Sequence, residues 1–576
     1  MELKVQKFLV LLRFFKNSLN IFVFCKFLFG KTACFFARTA SVFVKTAFSS
    51  GVLASFFFCL AWGTGVLWAD TLKIIYQNAP KTLDPHAGDP HSYPIIMNSY
   101  RRLFDLQDGE NILTTTSSLA RTARVSDDGL IYTIILREGE SFADGSRVNP
   151  EAILFSFDRL MASDAGKSLF PYLKFLRIDG PNTLALILER PWPPFLASLA
   201  LPEASIISPI LAGYPADYLK THSLGSGRYV VDSYVDNKIV LSQRGDIPQS
   251  NSPETVEIYY ESDPQAILGL YRKMEAHLAI LSPPILEEVP PGSELRFIPT
   301  WTTRYLAFNF ETEYFQKREI REALAAVAEN VFSLKDIRPQ GMLPRGFAGA
   351  PAAAPQLNLV TAPERARALI AAAGFPQTPL RLVFYPNEKN ALEDARLLAE
   401  NFNSLGLKVN IIPLQGSEGK GILEKNDYDL YLGTRHPEIP SGEMWLGKFL
   451  DSRAKTLSNP AHFKDPVVDS QIDNFDASLT RPEREGRIKG VATLAARERP
   501  YVLLYQDTQT FVADKRLASV VPHPMWPLFW PLDKINLNPF RAGVEPFQAP
   551  PGSPPVNPQL PEPTRDFDET VFEPYE

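Results

Sequence analysis

The pattern between Leu380 and Leu414 restricts this chain to folds that contain a parallel strand pair. Leu380–Tyr385 is a short apolar run with strand character. Asn390–Ser404 then places Leu392, Ala395, Ala399 and Phe402 on one helical stripe, and Gly406 ends it. Leu407–Leu414 returns to strand character. Two strands joined through a helix run parallel, because the crossover carries the chain back to the end where it started. The chain is therefore α/β, with a sheet that needs helices against its faces.

Other segments fill in the same class. Leu130, Tyr132, Ile134 and Leu136 alternate with more polar or outward positions, which is a strand period. Thr183–Leu188 repeats that after the Gly180-Pro181-Asn182 turn. Asn149-Pro150-Glu151 starts a helix carrying Ile153, Phe157 and Leu160. Thr361-Ala362-Pro363-Glu364 reads as a capping box for a helix through Ala372, and Val468, Ile472, Phe475 and Leu479 as another one-sided helix. Gly225-Ser226-Gly227 reads as a sharp backbone bend before a strand at Tyr229.

The first 69 residues stand apart. They hold eight Lys/Arg and one acid, whereas the full chain has a net charge of −6. Residues 46–69 contain no charge and end in Ala69 before Asp70, which reads as an export signal or as a retained membrane anchor. All three cysteines, Cys25, Cys34 and Cys59, lie in this leader, so disulfides and thiolate metal sites are excluded beyond it. Cys59 follows three phenylalanines and not a lipoprotein box. At the other end, residues 546–576 are Pro-rich and read as a disordered tail. The acidic remainder excludes a general nucleic-acid binder.

Catalytic signatures are scarce. There is no phosphate loop, no HExxH and no Gly-x-Ser-x-Gly elbow. Two Ser-x-x-Lys matches, at Ser417 and Ser452, lack the accompanying motifs of acyl-enzymes. His86 and His91 are five apart in a Pro-rich loop, a spacing that does not align two imidazoles on a helix. No enzyme activity, metal site or cofactor is expected.

One ordered string of segments rises above this background. It begins with TLDPHAGDP at Thr82–Pro90 and RRLFDLQDG at Arg101–Gly109, followed by the long stretch Ser118–Leu160. LGSGRYVVDSY at Leu224–Tyr234, RYLAFNFETEYFQKREIREAL at Arg304–Leu324 and APERARALIAAAGF at Ala362–Phe375 continue it, and HFKDPVVDSQID at His462–Asp473 precedes a terminal Tyr-rich strand near Tyr501–Tyr505. This order resembles the extracytoplasmic solute-binding proteins of family 5, the peptide-, dipeptide- and nickel-binding components of ABC importers. The likeness spans about 70–545, and Asp127–Leu160 is its most specific part.

The resemblance implies a two-lobed, three-domain periplasmic-binding-protein architecture of the class II (cluster C) type, with mixed sheets, a hinge and a ligand cleft. Lobe I would combine 70–112, 206–300 and 500–545, with an insert domain at 113–205, and lobe II would span 301–499. The implied function is a receptor that binds di- to oligopeptides between the lobes and delivers them to a permease. A non-peptide solute, or a sensory domain reusing the fold, are the alternatives. The implied partners are ABC permease and ATPase subunits, and the protein would be a monomer in the periplasm. It would be free there, or tethered to the inner membrane through residues 46–69 if the leader stays.

The resemblance also locates a site. Peptide-binding relatives typically carry a Trp and then an Asp after the strand that matches Tyr428–Leu432, the Asp pairing with the peptide's ammonium. By position Arg435 stands for the Trp and Glu438 for the Asp, with Trp445 available to restore the ring. Glu438 would bind the ligand ammonium, and Arg435 would brace it or take a ligand carboxylate. Asp89, His91, Tyr501 and Tyr505 would line the rest of the cleft.

Overall fold

The computed structural model describes residues 71–535, with breaks at 107–112, 115–117, 248–250, 282–288, 332–336, 338, 340, 348–362, 373–374, 376–377, 455–457, 476–480 and 518–519. The leader, the Pro-rich tail, Thr361 of the capping box and Leu479 lie outside the described residues.

Two long strands organise the described part. Ser293–Phe308 and Tyr501–Asp514 pair antiparallel along most of their length. On one side they are extended by Leu430–Arg435, Leu380–Phe384 and Val409–Pro413. On the other follow Leu278–Ile280, Thr71–Tyr76, Thr255–Tyr260, Lys238–Gln243 and Tyr229–Val235, giving a ten-stranded mixed sheet. The expected crossover is present: Leu380–Phe384 and Val409–Pro413 are parallel neighbours joined through helix Ala391–Ser404.

The central ladder loses register twice near its middle, between Pro299 and Thr303 and again between Arg304 and Tyr305. Pro299 faces Thr508 and Thr303 faces Gln506, so Thr300–Thr302 leave the register. Pro299 has no N–H to give the ladder, which suits a bulge at this point.

Helix Ala391–Ser404 differs from its periodicity reading. It buries Ala391, Asp394, Ala395, Leu398, Ala399 and Phe402, while Leu392 is 45% exposed. The buried face is rotated because Asp394 points inward, where it accepts a hydrogen bond from the Tyr505 hydroxyl at 2.5 Å and pairs with Arg304 at 3.2 Å.

A second, four-stranded antiparallel sheet is ordered Ala120–Val125, Ile131–Leu136, Thr183–Leu188, Leu173–Gly180. Helix Pro150–Ala162 follows its first hairpin; the Asn149 side chain caps it by accepting from the Ala152 N–H at 3.0 Å. One contiguous buried cluster contains Phe157, Phe170 and Phe195 from this region together with Trp445, Phe449 and Tyr501. This cluster joins residues of both sheets, while separate buried clusters, such as those around Leu382 and Leu430 and around Leu72 and Phe511, lie against other parts of the ten-stranded sheet.

The chain bends at residues 226–228 as expected, without a positive φ at Gly225 or Gly227, and the two glycines are also needed there for space. A Cβ on Gly225 would stand 2.1 Å from the Ser99 carbonyl oxygen, and one on Gly227 2.4 Å from that of Asn98. The Gly227 N–H donates to Ser99 O at 3.0 Å, which pins the two backbones together. Gly227→Ala is accordingly expected to cost about 1–3 kcal/mol of stability through overpacking. Urea unfolding of the variant measures this, and a midpoint equal to wild type contradicts the close approach.

Candidate ligand-binding site

The sheet register brings two sets of strand ends to the same place. Arg435, the last residue of Leu430–Arg435, pairs with Thr303, at the edge of the ladder break. Thr71–Tyr76 runs parallel to Leu278–Ile280, whose Leu278 and Ile280 face Ala513 and Phe511. Moving forward along Thr71–Tyr76 is therefore moving from Ala513 towards Thr508, again towards the break. In open α/β sheets, ligands bind outside the carboxyl ends of parallel strands. Here two such groups of ends face each other across residues 300–302.

On one side lies the loop after Arg435. Glu438 pairs with Lys448, and the two side chains are 56% and 34% exposed. Lys448 is brought there by helix Gly442–Leu450, which Ser441 caps by accepting from the Met444 N–H at 3.3 Å. Arg435 is committed elsewhere. Its guanidinium carbon lies 4.0 Å from the centre of the Phe449 ring, and Nη2 donates to the Ser458 carbonyl at 2.7 Å. The ammonium placed against Glu438 thus comes from Lys448.

Trp445 is 3% exposed, and its Nε1 donates to the Met342 carbonyl at 2.8 Å. It walls a small pocket together with Arg435, His436, Glu438 and Lys448, whose enclosed space of about 20 Å³ holds about one water molecule. His436 joins the loop to the break, its Nδ1 lying 3.1 Å from Thr302 Oγ1. His436 is exposed, and the protein packed beside its ring pushes the imidazole down while Glu438 opposes the shift.

The remaining expected residues fall into separate places. Tyr501 is buried behind Phe449, its hydroxyl 2.8 Å from both the Phe449 carbonyl and Asn459 Oδ1. Tyr505 belongs to the buried set with Asp394 and Arg304. Asp89 and His91 lie on the opposite side, in the segment that leaves Thr71–Tyr76. Asp89 accepts from the Lys81 and His91 N–H groups at 2.7 and 3.1 Å, so it shapes its own turn. The structure thus brings Arg435, Glu438 and Trp445 together, sets Tyr501 against the Phe449 ring on which Arg435 lies, and places Tyr505, Asp89 and His91 elsewhere. Lys448 and His436 escaped the sequence reading. Nothing in their spacing pairs Lys448 with a glutamate ten residues earlier; the helix after Ser441 does that.

Among the described residues no helix is long and apolar enough to cross a membrane, and no group of His, Cys, Asp or Glu could hold a metal ion. The family model for the bacterial extracellular solute-binding proteins, family 5, matches residues 114–456. This chain belongs to that family. Members bind small solutes and work with the permease and ATPase subunits of ABC importers; theirs is not an enzymatic role.

Two relatives and one solved structure show how far this family 5 chain has diverged. It is 26% identical to the probable D,D-dipeptide-binding periplasmic protein DdpA of Escherichia coli K12, over 79% of this chain and 92% of that one. It is also 26% identical to the glutathione-binding protein GsiB of the same strain, over 76% and 89%. HbpA2 from Haemophilus parasuis superposes with a TM-score of 0.70 at 17% identity, covering 79% of this chain and 97% of that one, which is a likeness of fold.

Proposed function

We propose that this protein is the periplasmic peptide receptor of an ABC importer, enclosing its ligand between two lobes that hinge at residues 299–303. The observation that supports this most is the register: carboxyl ends of parallel strands from both halves of the sheet converge on one bulge in the two crossing strands. A break in a long ladder is a natural place for a few residues to absorb a closing rotation. On this reading lobe I comprises 70–112, 206–300 and 500–545, the insert 113–205, and lobe II 301–499. A peptide is favoured because the relatives DdpA and GsiB are named for a D,D-dipeptide and for glutathione. The Glu438–Lys448 pair offers a carboxylate and an ammonium side by side, which suits a zwitterionic peptide.

The test is a thermal-shift screen of the purified protein over di- to octapeptides, alongside mass spectrometry of co-purified solute. A ligand at a hundredfold excess over its Kd should add about 2.7 kcal/mol of stability. A shift from another metabolite, with none from any peptide, would overturn the peptide assignment.

Glu438→Gln should then weaken the bound peptide about tenfold, which is ~1.4 kcal/mol. The half-exposed carboxylate is already screened by water and Lys448, so the much larger effects of fully buried pairs do not apply. Calorimetric titration measures it, and unchanged affinity would remove this loop from the site.

A further inference from the structure

Four acidic residues are buried among the described residues: Asp105, Glu203, Asp394 and Asp429. Three face an arginine, namely Arg102 for Asp105, Arg304 for Asp394 and Arg381 for Asp429. Glu203 does not. It is 9% exposed, in the short turn Pro202–Ala204, and among the described residues no Lys, Arg or His pairs with it. Its side-chain partners are the Tyr93 hydroxyl, which donates to Oε1 at 2.5 Å, and its own backbone N–H.

A carboxylate taken out of water costs several kcal/mol unless a proton or a cation neutralises it. Burial accordingly pushes the Glu203 carboxyl up from its ordinary range, while the Tyr93 hydrogen bond opposes that. Negative charge lies beside its partner Tyr93. Asp89 is near enough to raise the Tyr93 phenol further, and the buried Tyr260 hydroxyl, also under the influence of Asp89, has no hydrogen-bond partner. Tyr93 itself is half-buried and lies two residues after His91, in the segment that leaves the carboxyl end of Thr71–Tyr76. That end faces the ladder break.

We propose that Glu203 and Tyr93 form a cation subsite in lobe I that takes an ammonium or guanidinium group of the ligand. The inference rests on the solute-receptor reading and adds to it the polarity of the bound molecule. The cationic group docks in lobe I and the opposite end reaches Lys448 in lobe II. The phenol of Tyr93 keeps its hydrogen bond to Oε1 while the incoming N–H group donates to the other oxygen. Three buried carboxylates have this role filled by arginine; here the ligand fills it.

The experiment compares wild type, Glu203→Gln and Tyr93→Phe. Glutamine keeps the shape and the acceptor for Tyr93, so Glu203→Gln is expected to fold, and its urea midpoint verifies that. Each protein is equilibrated with an equimolar tripeptide library that includes lysine members and their norleucine isosteres. Retained peptides are quantified by mass spectrometry. A thermal shift with 1,5-diaminopentane runs in parallel. Wild type should enrich lysine over norleucine members at least tenfold, and Glu203→Gln should lose that bias while still retaining neutral peptides. Tyr93→Phe should fall between. Equal selectivity in wild type and Glu203→Gln overturns the subsite and leaves the peptide receptor standing. If no peptide is retained but the diamine stabilises wild type and not Glu203→Gln, the subsite stands and the peptide reading falls. Silence from both probes overturns both.

Discussion

Asp394→Ala is expected to remove about 3–5 kcal/mol of folding stability, the range for breaking a buried charge pair from one side. Asp394 is fully buried on helix Ala391–Ser404 and meets Tyr505 Oη at 2.5 Å and Arg304 Nε at 3.2 Å. Arg304 and Tyr505 are ladder partners just beyond the break in the crossing strands. The substitution leaves a guanidinium that is 4% exposed with less negative charge around it, and a phenol hydroxyl without its acceptor. Arg304 keeps Glu388 at 2.6 Å, so the guanidinium is not stripped of every partner, and the lower part of the range is the more fitting. Glu388→Ala, whose side chain is 22% exposed, should cost less. Urea unfolding gives both values. A loss under 1 kcal/mol for Asp394→Ala would show that water or rearrangement replaces this carboxylate. Because the set joins the helix to the crossing strands, the same variant should also weaken ligand-induced stabilisation.

Acidification from pH 7 to pH 4 is expected to cost about 3 kcal/mol through one histidine alone. His86 is 4% exposed, with Nε2 lying 3.1 Å from the Ser205 carbonyl oxygen, which assigns the ring proton to Nε2. Nδ1 is buried without a partner. Desolvation first, and the Arg159 guanidinium second, push the imidazole down to about 4, while the Ser205 carbonyl and Asp84 oppose them. In the unfolded chain the same group titrates near 6.5. Below that value the unfolded state binds the proton and the folded state does not. The stabilisation is therefore complete above pH 6.5 and lost as pH falls towards 4. Carboxylates also titrate in this window, so the measurement is the difference between wild type and His86→Gln. Glutamine can donate to Ser205 and has no proton to gain. If both proteins lose stability in parallel, His86 is not held neutral by its surroundings.

Much of the α/β pattern was legible in the residues. The strand at Ile131–Leu136 buries Tyr132, Ile134 and Leu136, in the alternation its sequence shows. The crossover at 380–414 runs parallel as its helix requires. Reading became unreliable where a polar residue takes a buried position. Hydrophobic spacing put Leu392 on the inner face of its helix, yet the buried stripe runs through Ala391, Asp394, Ala395, Leu398 and Phe402, with Asp394 paired to Arg304 and Leu392 outside. The same limit applies to Gly225 and Gly227. Their sequence announces a special backbone, but the cause is the approach of residues 98–100, which are far away along the chain.

The candidate site divides along the same line. Local pattern and family likeness pointed to Arg435 and Glu438. They did not reveal that Arg435 lies over Phe449, or that Lys448 supplies the ammonium. Nor did they single out Glu203 and Tyr93, which are 110 positions apart. The sequence by itself determined the class of fold and the family, because periodicity and motif order are local properties of the chain. Only the tertiary structure decided which charges are paired, which carboxylate is buried without a cation, and where the two groups of strand ends meet. Those outcomes depend on long-range register and on the cost of burying charge, and neither is written in any short stretch of residues.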